Sequence, residues 1–293
     1  MTVVAAVTLA GSYDVAANLA AHHALLTEAA DAGAELVVFP ECSLHGYPDQ
    51  GRRASAEGRL ATWQDAEPVG GPRSAAVLQH AADRGVHVVF GLNEATGTAG
   101  VIHNTAVLGG PQGLVGAYRK VHLGQHERST WTPGTSLPVW TTPLGRIGLM
   151  ICGDLAVPET ARELALGGAE LLVLPTAWAF PDTGVPRWGE LYRLFCRARA
   201  AENACWLVTS NYVGPLGDTC FPGGSSVVDP AGTVLHDSDG AGVLLADLDL
   251  RGGIATAHAG WALPRLVEAR RPQAYPLLRT GPAAPAPPGH ITG

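Results

Sequence analysis

Three side chains in this sequence have the types needed for acyl transfer, and each closes an apolar or β-type run. Glu41 follows Leu36-Val-Val-Phe-Pro40, Lys120 stands just beyond the run Leu114–Tyr118, and Cys152 follows Ile147-Gly-Leu-Met-Ile151. A cysteine at the carboxyl end of a buried strand, just before a helix, is where an α/β protein can hold a nucleophile. The strand fixes the sulfur, and the backbone N–H groups behind it can stabilise an oxyanion. A free thiol is mostly protonated at neutral pH, so such a nucleophile needs a base to take its proton and a cation to hold the developing charge. Glu41 and Lys120 supply those two types. Taken singly, none of the three carries this meaning: cysteine is among the most buried residue types, and a glutamate or lysine at a strand end is usually a surface residue.

The elements that must position these residues read as an alternation of strands and helices. Thr2–Ala10 is apolar without a basic leader and reads as a first strand, not a signal peptide. Asp14 is placed to cap a helix carrying Val15, Leu19, Leu25, Leu26 and Ala29 on one side, ended by Gly33. Pro40 stops ladder pairing ahead of Glu41. Residues 43–70 read as an irregular polar loop bordering a site. A helix is predicted over Arg73–Arg84, a strand over Val86–Gly91, and a hairpin from Val101–Leu108 to Leu114–Tyr118 about Gly109-Gly-Pro111. Residues 124–138 read as loop. A helix is predicted from Glu159 to Leu166, stopped by Gly167-Gly168, and Ala169–Pro175 repeats the strand-then-proline pattern. Arg187–Ala204 is the strongest helical pattern, with Trp188, Leu191, Leu194, Phe195 and Ala198 on one side. Further strands follow at Cys205–Ser210, Ser225–Val228, Thr233–His236 and Val243–Asp247. The pattern predicts one α/β domain over 1–260, a less regular extension over 261–280, and a Pro/Ala/Gly-rich disordered tail over 281–293.

Composition narrows the function classes. The 293 residues carry 19 basic and 26 acidic side chains, a net charge of −7, and no basic run, which argues against a nucleic-acid binder. No apolar run approaches the roughly 18 residues needed to cross a bilayer. Five cysteines, an odd number with no Cys-x-x-Cys, do not make a disulfide framework and point to a reducing, cytoplasmic setting. His122, His126 and Glu127 invite a zinc reading, but that spacing binds metal from a helix, and this segment follows a strand and contains Gly124. No local signature supports a papain-like Cys–His enzyme, and Gly110–Gly116 lacks the phosphate-loop pattern.

The text around the three residues is more specific. Phe39-Pro-Glu41, Tyr118-Arg-Lys-Val-His-Leu123 and Met150-Ile-Cys-Gly-Asp154 with Pro158-Glu159 resemble, in order, the three signature segments of the nitrilase superfamily of carbon–nitrogen hydrolases. Glu127-x-x-x-Trp131-x-Pro-Gly134, Arg199-Ala-x-x-Asn203, Ser210-Asn-Tyr-Val-Gly214, Phe221 through Gly232 and Arg271-Pro-x-x-Tyr275 extend the resemblance to about residue 278. It implies an α-β-β-α sandwich that pairs two subunits, so a homodimer is expected through the helix after Cys152 and the helix Arg187–Ala204.

The resemblance also implies roles. Cys152 would be the nucleophile and Glu41 the general base. Lys120, with the N–H of Gly153, would hold the oxyanion, and Glu127 would orient Lys120 and the substrate nitrogen. No metal or organic cofactor is needed, because thiol, acid and cation cover each step of acyl transfer to water. A cation near the sulfur is expected to favour thiolate. Tyr47, Trp178, Trp188 and Tyr192 are candidate substrate contacts, with core or interface packing as the other reading of the aromatics. Nitrilases usually follow the cysteine with Trp-Glu. Gly153-Asp154 is more similar to the amidase and carbamoylase branches, and the small Gly153 and Val157 imply a roomier acyl pocket. The expected activity is hydrolysis of a small primary amide through a thioester. N-carbamoyl amidohydrolase, nitrilase and amide-forming acyltransferase are the alternatives, and an inactive binding scaffold is the non-enzymatic one.

Overall fold

The computed structural model describes residues 1–179, 187–260 and 269–275, and for Arg187 and Trp188 the main chain only. In chain order the elements are β1 (Thr2–Ala10), α1 (Val15–Asp31), β2 (Leu36–Val38), α2 (Gln50–Ala54), α3 (Ala56–Asp65), α4 (Pro72–Asp83), β3 (His87–Ala95), β4 (Ile102–Gly110) and β5 (Gly113–Arg119). Then come β6 (Val139–Thr142), β7 (Gly145–Leu149), a 3-10 turn over Cys152–Ala156, α5 (Pro158–Leu166), β8 (Leu171–Pro175), α6 (Arg187–Asn203) and β9 (Trp206–Ser210). The last are β10 (Tyr212–Leu216), β11 (Thr219–Pro222), β12 (Ser225–Val228), β13 (Val234–Ser238), β14 (Gly242–Leu248) and α7 (Leu250–Gly260).

Strand periodicity builds the layers. In β1, Ala5, Val7 and Leu9 face one way, into a core shared with Leu26 and Ala29 of α1 and Val77, Leu78 and Ala81 of α4. Val4 and Ala6 face the other way and meet Ile147, Leu149, Leu171, Val173 and Val208 of a second sheet. That sheet turns Leu172, Leu174 and Leu207 outward onto Leu164 of α5 and Tyr192, Cys196 and Ala200 of α6. Alternate residues of each strand therefore fill different cores, as a period of two requires. Three cores stacked in this way make an α-β-β-α sandwich, as expected. One sheet runs β11-β10-β1-β2-β3-β4-β5, with β14 antiparallel to β1; the other runs β13-β12-β9-β8-β7-β6. The inner strands β1-β2-β3 and β7-β8-β9 are parallel, so their carboxyl ends open on the same side within each sheet.

Several boundaries differ from the sequence expectation for physical reasons. Residues 43–70 are not an irregular loop, because they contain α2 and α3. Asp49 caps the first by accepting from Arg52 N–H at 2.7 Å, and Ser55 caps the second by accepting from Gly58 N–H at 3.0 Å. Helix α7 was not foreseen; Asp249 accepts from Gly252 N–H at 2.9 Å at its start. Strand β3 runs on to Ala95 because β4 pairs with it through the polar residues Asn93 and Glu94. Strands β6, β10 and β11 were likewise not foreseen; each is four or five residues long, β6 and β11 pair with the adjacent strands β7 and β10, and β10 also pairs with the distant β1.

On two helices the buried stripe is not the apolar one. Helix α1 buries Asn18 and His22 with Leu26 and Ala29. On α6, Tyr192, Cys196, Arg199 and Ala200 are buried, whereas Leu194 is 57% exposed. The 261–280 extension and the 281–293 tail lie outside the described residues, apart from a short turn at Pro272–Ala274. No helix among the described residues is long and apolar enough to cross a membrane.

Candidate active site

Glu41 lies three residues past β2, on a main chain held from three directions. Its N–H reaches the Thr176 carbonyl at 3.4 Å, its carbonyl accepts from the Tyr212 hydroxyl at 2.9 Å, and the next turn is tied to β3 by Leu44 N–H to Gly91 O at 3.1 Å. Gly91 is required here, because a Cβ would stand 2.6 Å from the Glu41 carbonyl carbon and 2.7 Å from the Pro40 oxygen. His22 of α1 braces the same turn through Ser43, its Nε2 lying 2.9 Å from Ser43 Oγ. Burial lowers its pKa to about 4, so the ring stays neutral.

Lys120 is the first residue beyond β5 and is 1% exposed, an uncommon setting for an ammonium group. Its Nζ donates to Glu41 Oε1 at 2.7 Å and to Glu127 Oε1 at 2.6 Å. The two carboxylates have further donors. Asn104 Nδ2 gives to Glu41 Oε1 at 2.6 Å and Ala177 N–H to Glu41 Oε2 at 2.9 Å. The Tyr47 hydroxyl gives to Glu127 Oε1 at 2.9 Å and Gly124 N–H to Glu127 Oε2 at 2.6 Å.

Cys152 opens the 3-10 turn after β7 with φ of 43°, a left-handed conformation that costs a side-chain-bearing residue about 1–3 kcal/mol. Next to it, a Cβ on Gly153 would stand 3.8 Å from Lys120 Cε and 4.0 Å from Nζ. The turn therefore lies against the lysine, and a side-chain carbon at 153 would also meet the His122 carbonyl oxygen at 3.4 Å.

The electrostatics differ from the sequence expectation at one point. The Cys152 thiol pKa is raised, not lowered: burial and the Glu41 charge outweigh Lys120. Burial also raises Glu41, against the pull of Lys120. Glu127 is lowered, because the Lys120 ammonium and the donors from Lys120, Gly124 and Tyr47 outweigh burial. Lys120 is raised well above its ordinary value: burial disfavours the ammonium, but Glu127 and Glu41 outweigh it. The resting arrangement is a protonated thiol beside a carboxylate of raised basicity and a locked ammonium.

Of the other predicted residues, Tyr47 touches Glu127 directly. Its ring lies near Trp131 and Phe221, at centroid distances of 5.8 and 6.5 Å. Trp178 is half-buried beyond β8, 5.2 Å from the ring of the buried Tyr192, and packs in the helix-side core. The Trp188 side chain lies outside the described residues. His122 pairs with Asp154, and His126 joins no group of three metal-binding side chains among the described residues. Sequence reasoning missed Asn104 and Ala177. For Asn104 the signal was there: it lies in His103-Asn-Thr105, a polar run within a strand whose nine residues are all buried. An amide in such a strand needs a partner.

Two sheets of this topology, with a cysteine turn facing a carboxylate-bound lysine at their strand ends, define the class of thiol-bearing α-β-β-α hydrolases. The carbon–nitrogen hydrolase family model matches residues 3–257, and the chain belongs to that family. An (R)-stereoselective amidase of a Pseudomonas species is 37% identical over 227 residues, 77% of this chain and 76% of the relative. A probable nitrilase of Schizosaccharomyces pombe is 36% identical over 73% of this chain and 75% of its own. An amidase structure from a Nesterenkonia species superposes with a TM-score of 0.72 at 28% identity, over 94% of this chain and 95% of that one. A glutamate-to-glutamine variant of the Nesterenkonia sp. AN1 amidase carries acrylamide added at its active-site cysteine.

Proposed function

We propose that this chain hydrolyses small primary amides to the carboxylic acid and ammonia through a thioester on Cys152. The observation that carries the reading is the buried Lys120, gripped by Glu41 and Glu127 and lying against the turn that presents the cysteine. As the Cys152 sulfur attacks the amide carbon, Glu41 takes the thiol proton, and burial makes its carboxylate a stronger base for that transfer. The C–S bond forms while the carbonyl π electrons move to oxygen, where Lys120 and the Gly153 N–H meet the charge. Collapse breaks the C–N bond; the nitrogen leaves as ammonia with the proton Glu41 had taken. Water then loses a proton to Glu41 and attacks the thioester, releasing the acid and the thiol. Glu127 keeps Lys120 charged and fixed, and Tyr47 keeps Glu127 fixed. A thiol that is protonated at rest makes base-assisted attack, rather than a standing thiolate, the route into the cycle.

The amidase relatives favour an amide, and the absence of a side chain at Gly153, next to Lys120, suits a tetrahedral adduct. Matched amide and nitrile pairs sharing one acyl group, with N-carbamoyl compounds in the same panel, test the reading by kcat/KM. The amide is expected to be the better substrate of each pair, and consistent preference for the nitrile overturns the assignment. Half-exposed apolar residues on α6 with the exposed Leu194, and the exposed Leu166 of α5, support pairing of two copies through those helices. Five free cysteines support a reducing, cytoplasmic setting.

A further inference from the structure

Asp154 is fully buried two residues after Cys152, and four donors converge on its carboxylate. Oδ2 accepts from the Ile151 N–H at 2.9 Å and from the Tyr118 hydroxyl at 2.7 Å. Oδ1 accepts from the His122 N–H at 3.0 Å and lies 2.8 Å from His122 Nδ1. The Tyr118 hydroxyl in turn accepts from Val121 N–H at 3.2 Å. One group of these donors immediately precedes the nucleophile. The others flank Lys120, at two residues before it and at one and two residues after. The carboxylate thus joins two segments that are otherwise separate strand ends of different sheets. Since a carboxylate without a proton only accepts, His122 Nδ1 must carry its proton toward it. The imidazole is also 3.1 Å from Thr160 Oγ1 on α5, and its side chain is 34% exposed.

We propose that Asp154 is a positioning residue for the reaction, fixing the Cys152 turn and the Lys120 segment relative to each other, with Tyr118 and His122 as its two side-chain partners. It touches neither substrate nor the reacting atoms. Its value follows from geometry: Cys152 sits in an unfavourable backbone conformation and Lys120 projects from just beyond a strand end, so neither is held by ladder pairing alone. A misplacement on the order of 1 Å between nucleophile and oxyanion donor costs about 10²-fold in rate. Asp154→Asn replaces an accepting oxygen with an NH2 facing two donors. Tyr118→Phe and His122→Ala are gentler, each deleting one donor.

The proposal rests on the reading of Cys152 and Lys120 given above, so the test has one readout that needs amide turnover and one that does not. The first is kcat and KM on the best amide, per Cys152 titrated. The second is the rate at which acrylamide labels Cys152, followed by peptide mass mapping so that the exposed Cys220 is counted apart. Tyr118→Phe and His122→Ala are each expected to lower kcat and labelling rate about 10-fold, with KM within about twofold. His122→Asn, whose amide can replace the Nδ1 donor, is expected to restore both to within about threefold of wild type. A purely structural role would lower the urea midpoint and leave kcat per titrated thiol and the labelling rate untouched. That result in both Tyr118→Phe and His122→Ala overturns the proposal. Wild-type protein inert toward every amide would sink the proposed function, while the labelling rates would still decide the case for Asp154.

Discussion

Replacing Lys120 by methionine keeps most of the side-chain volume and removes the charge that Glu41 and Glu127 share. Both Oε1 atoms lie within 2.7 Å of the one nitrogen, so they are roughly 5 Å apart or less. The two carboxylates repel with or without the lysine; what the variant loses is a unit charge 2.7 Å from Glu41, whose attraction at an effective dielectric of 20 is roughly 6 kcal/mol, about four pH units of proton affinity. With side chains 0% and 9% exposed, neither carboxylate can turn to water, so one takes up a proton instead. In the wild type, Lys120's raised pKa means that its contribution is fully present below 10.5 and is lost only as pH rises through a still higher folded value. Glu127, lowered, contributes stability above 4.5 that is lost as pH falls through its folded value, and Glu41, raised, opposes folding increasingly as pH rises above 4.5.

Deleting the ammonium pushes both carboxyls up. Between the wild-type and variant folded values, the variant holds one more proton than the wild type, and its stability falls relative to wild type by about 1.4 kcal/mol per pH unit. The destabilisation is therefore expected to grow by up to about 4 kcal/mol between pH 5 and pH 8, the limit for one extra proton, beyond a constant part from lost packing. Urea unfolding followed by circular dichroism at four pH values in that interval measures it. A difference between the proteins that stays constant from pH 5 to 8 would refute the idea that Lys120 holds two ionised carboxylates together.

Cys152→Ala is expected to lower kcat by on the order of 10⁴-fold or more with the fold intact by circular dichroism. Cys152→Ser should be nearly as inactive, because a hydroxyl is the weaker nucleophile; ammonia release from a clean preparation checks both. Gly91→Ala forces the chain at Pro40–Cys42 away from β3, so a loss of about 2–4 kcal/mol and about 10²-fold in kcat is expected from unfolding and kinetic measurements on a protein with no altered polar group. Light scattering at micromolar concentration should report at least a dimer, and an active monomer would contradict the pairing of α5 and α6.

What was legible in the sequence was what local pattern determines. Apolar runs closing on Glu41, Lys120 and Cys152 are strands whose ends present side chains, and the layers follow from which residues alternate. Less legible were features set by partners far along the chain. The buried face of α1 is defined by Asn18 and His22, which no hydrophobic count selects, because Asn18 caps loop carbonyls at Ser12 and Leu44 and His22 supports Ser43. The direction of the Cys152 pKa shift turns on a competition: burial and the Glu41 charge disfavour the thiolate that Lys120 favours. Sequence supplies the three residue types without their relative distances, and the sign depends on the distances. The same holds for chemistry. Because burial and the Glu41 charge outweigh the Lys120 ammonium, the thiol holds its proton at rest. In the proposed cycle, the proton the thiol gives to Glu41 is the one that the departing nitrogen requires, so the buried ion cluster would couple nucleophile activation to leaving-group protonation through a single carboxylate.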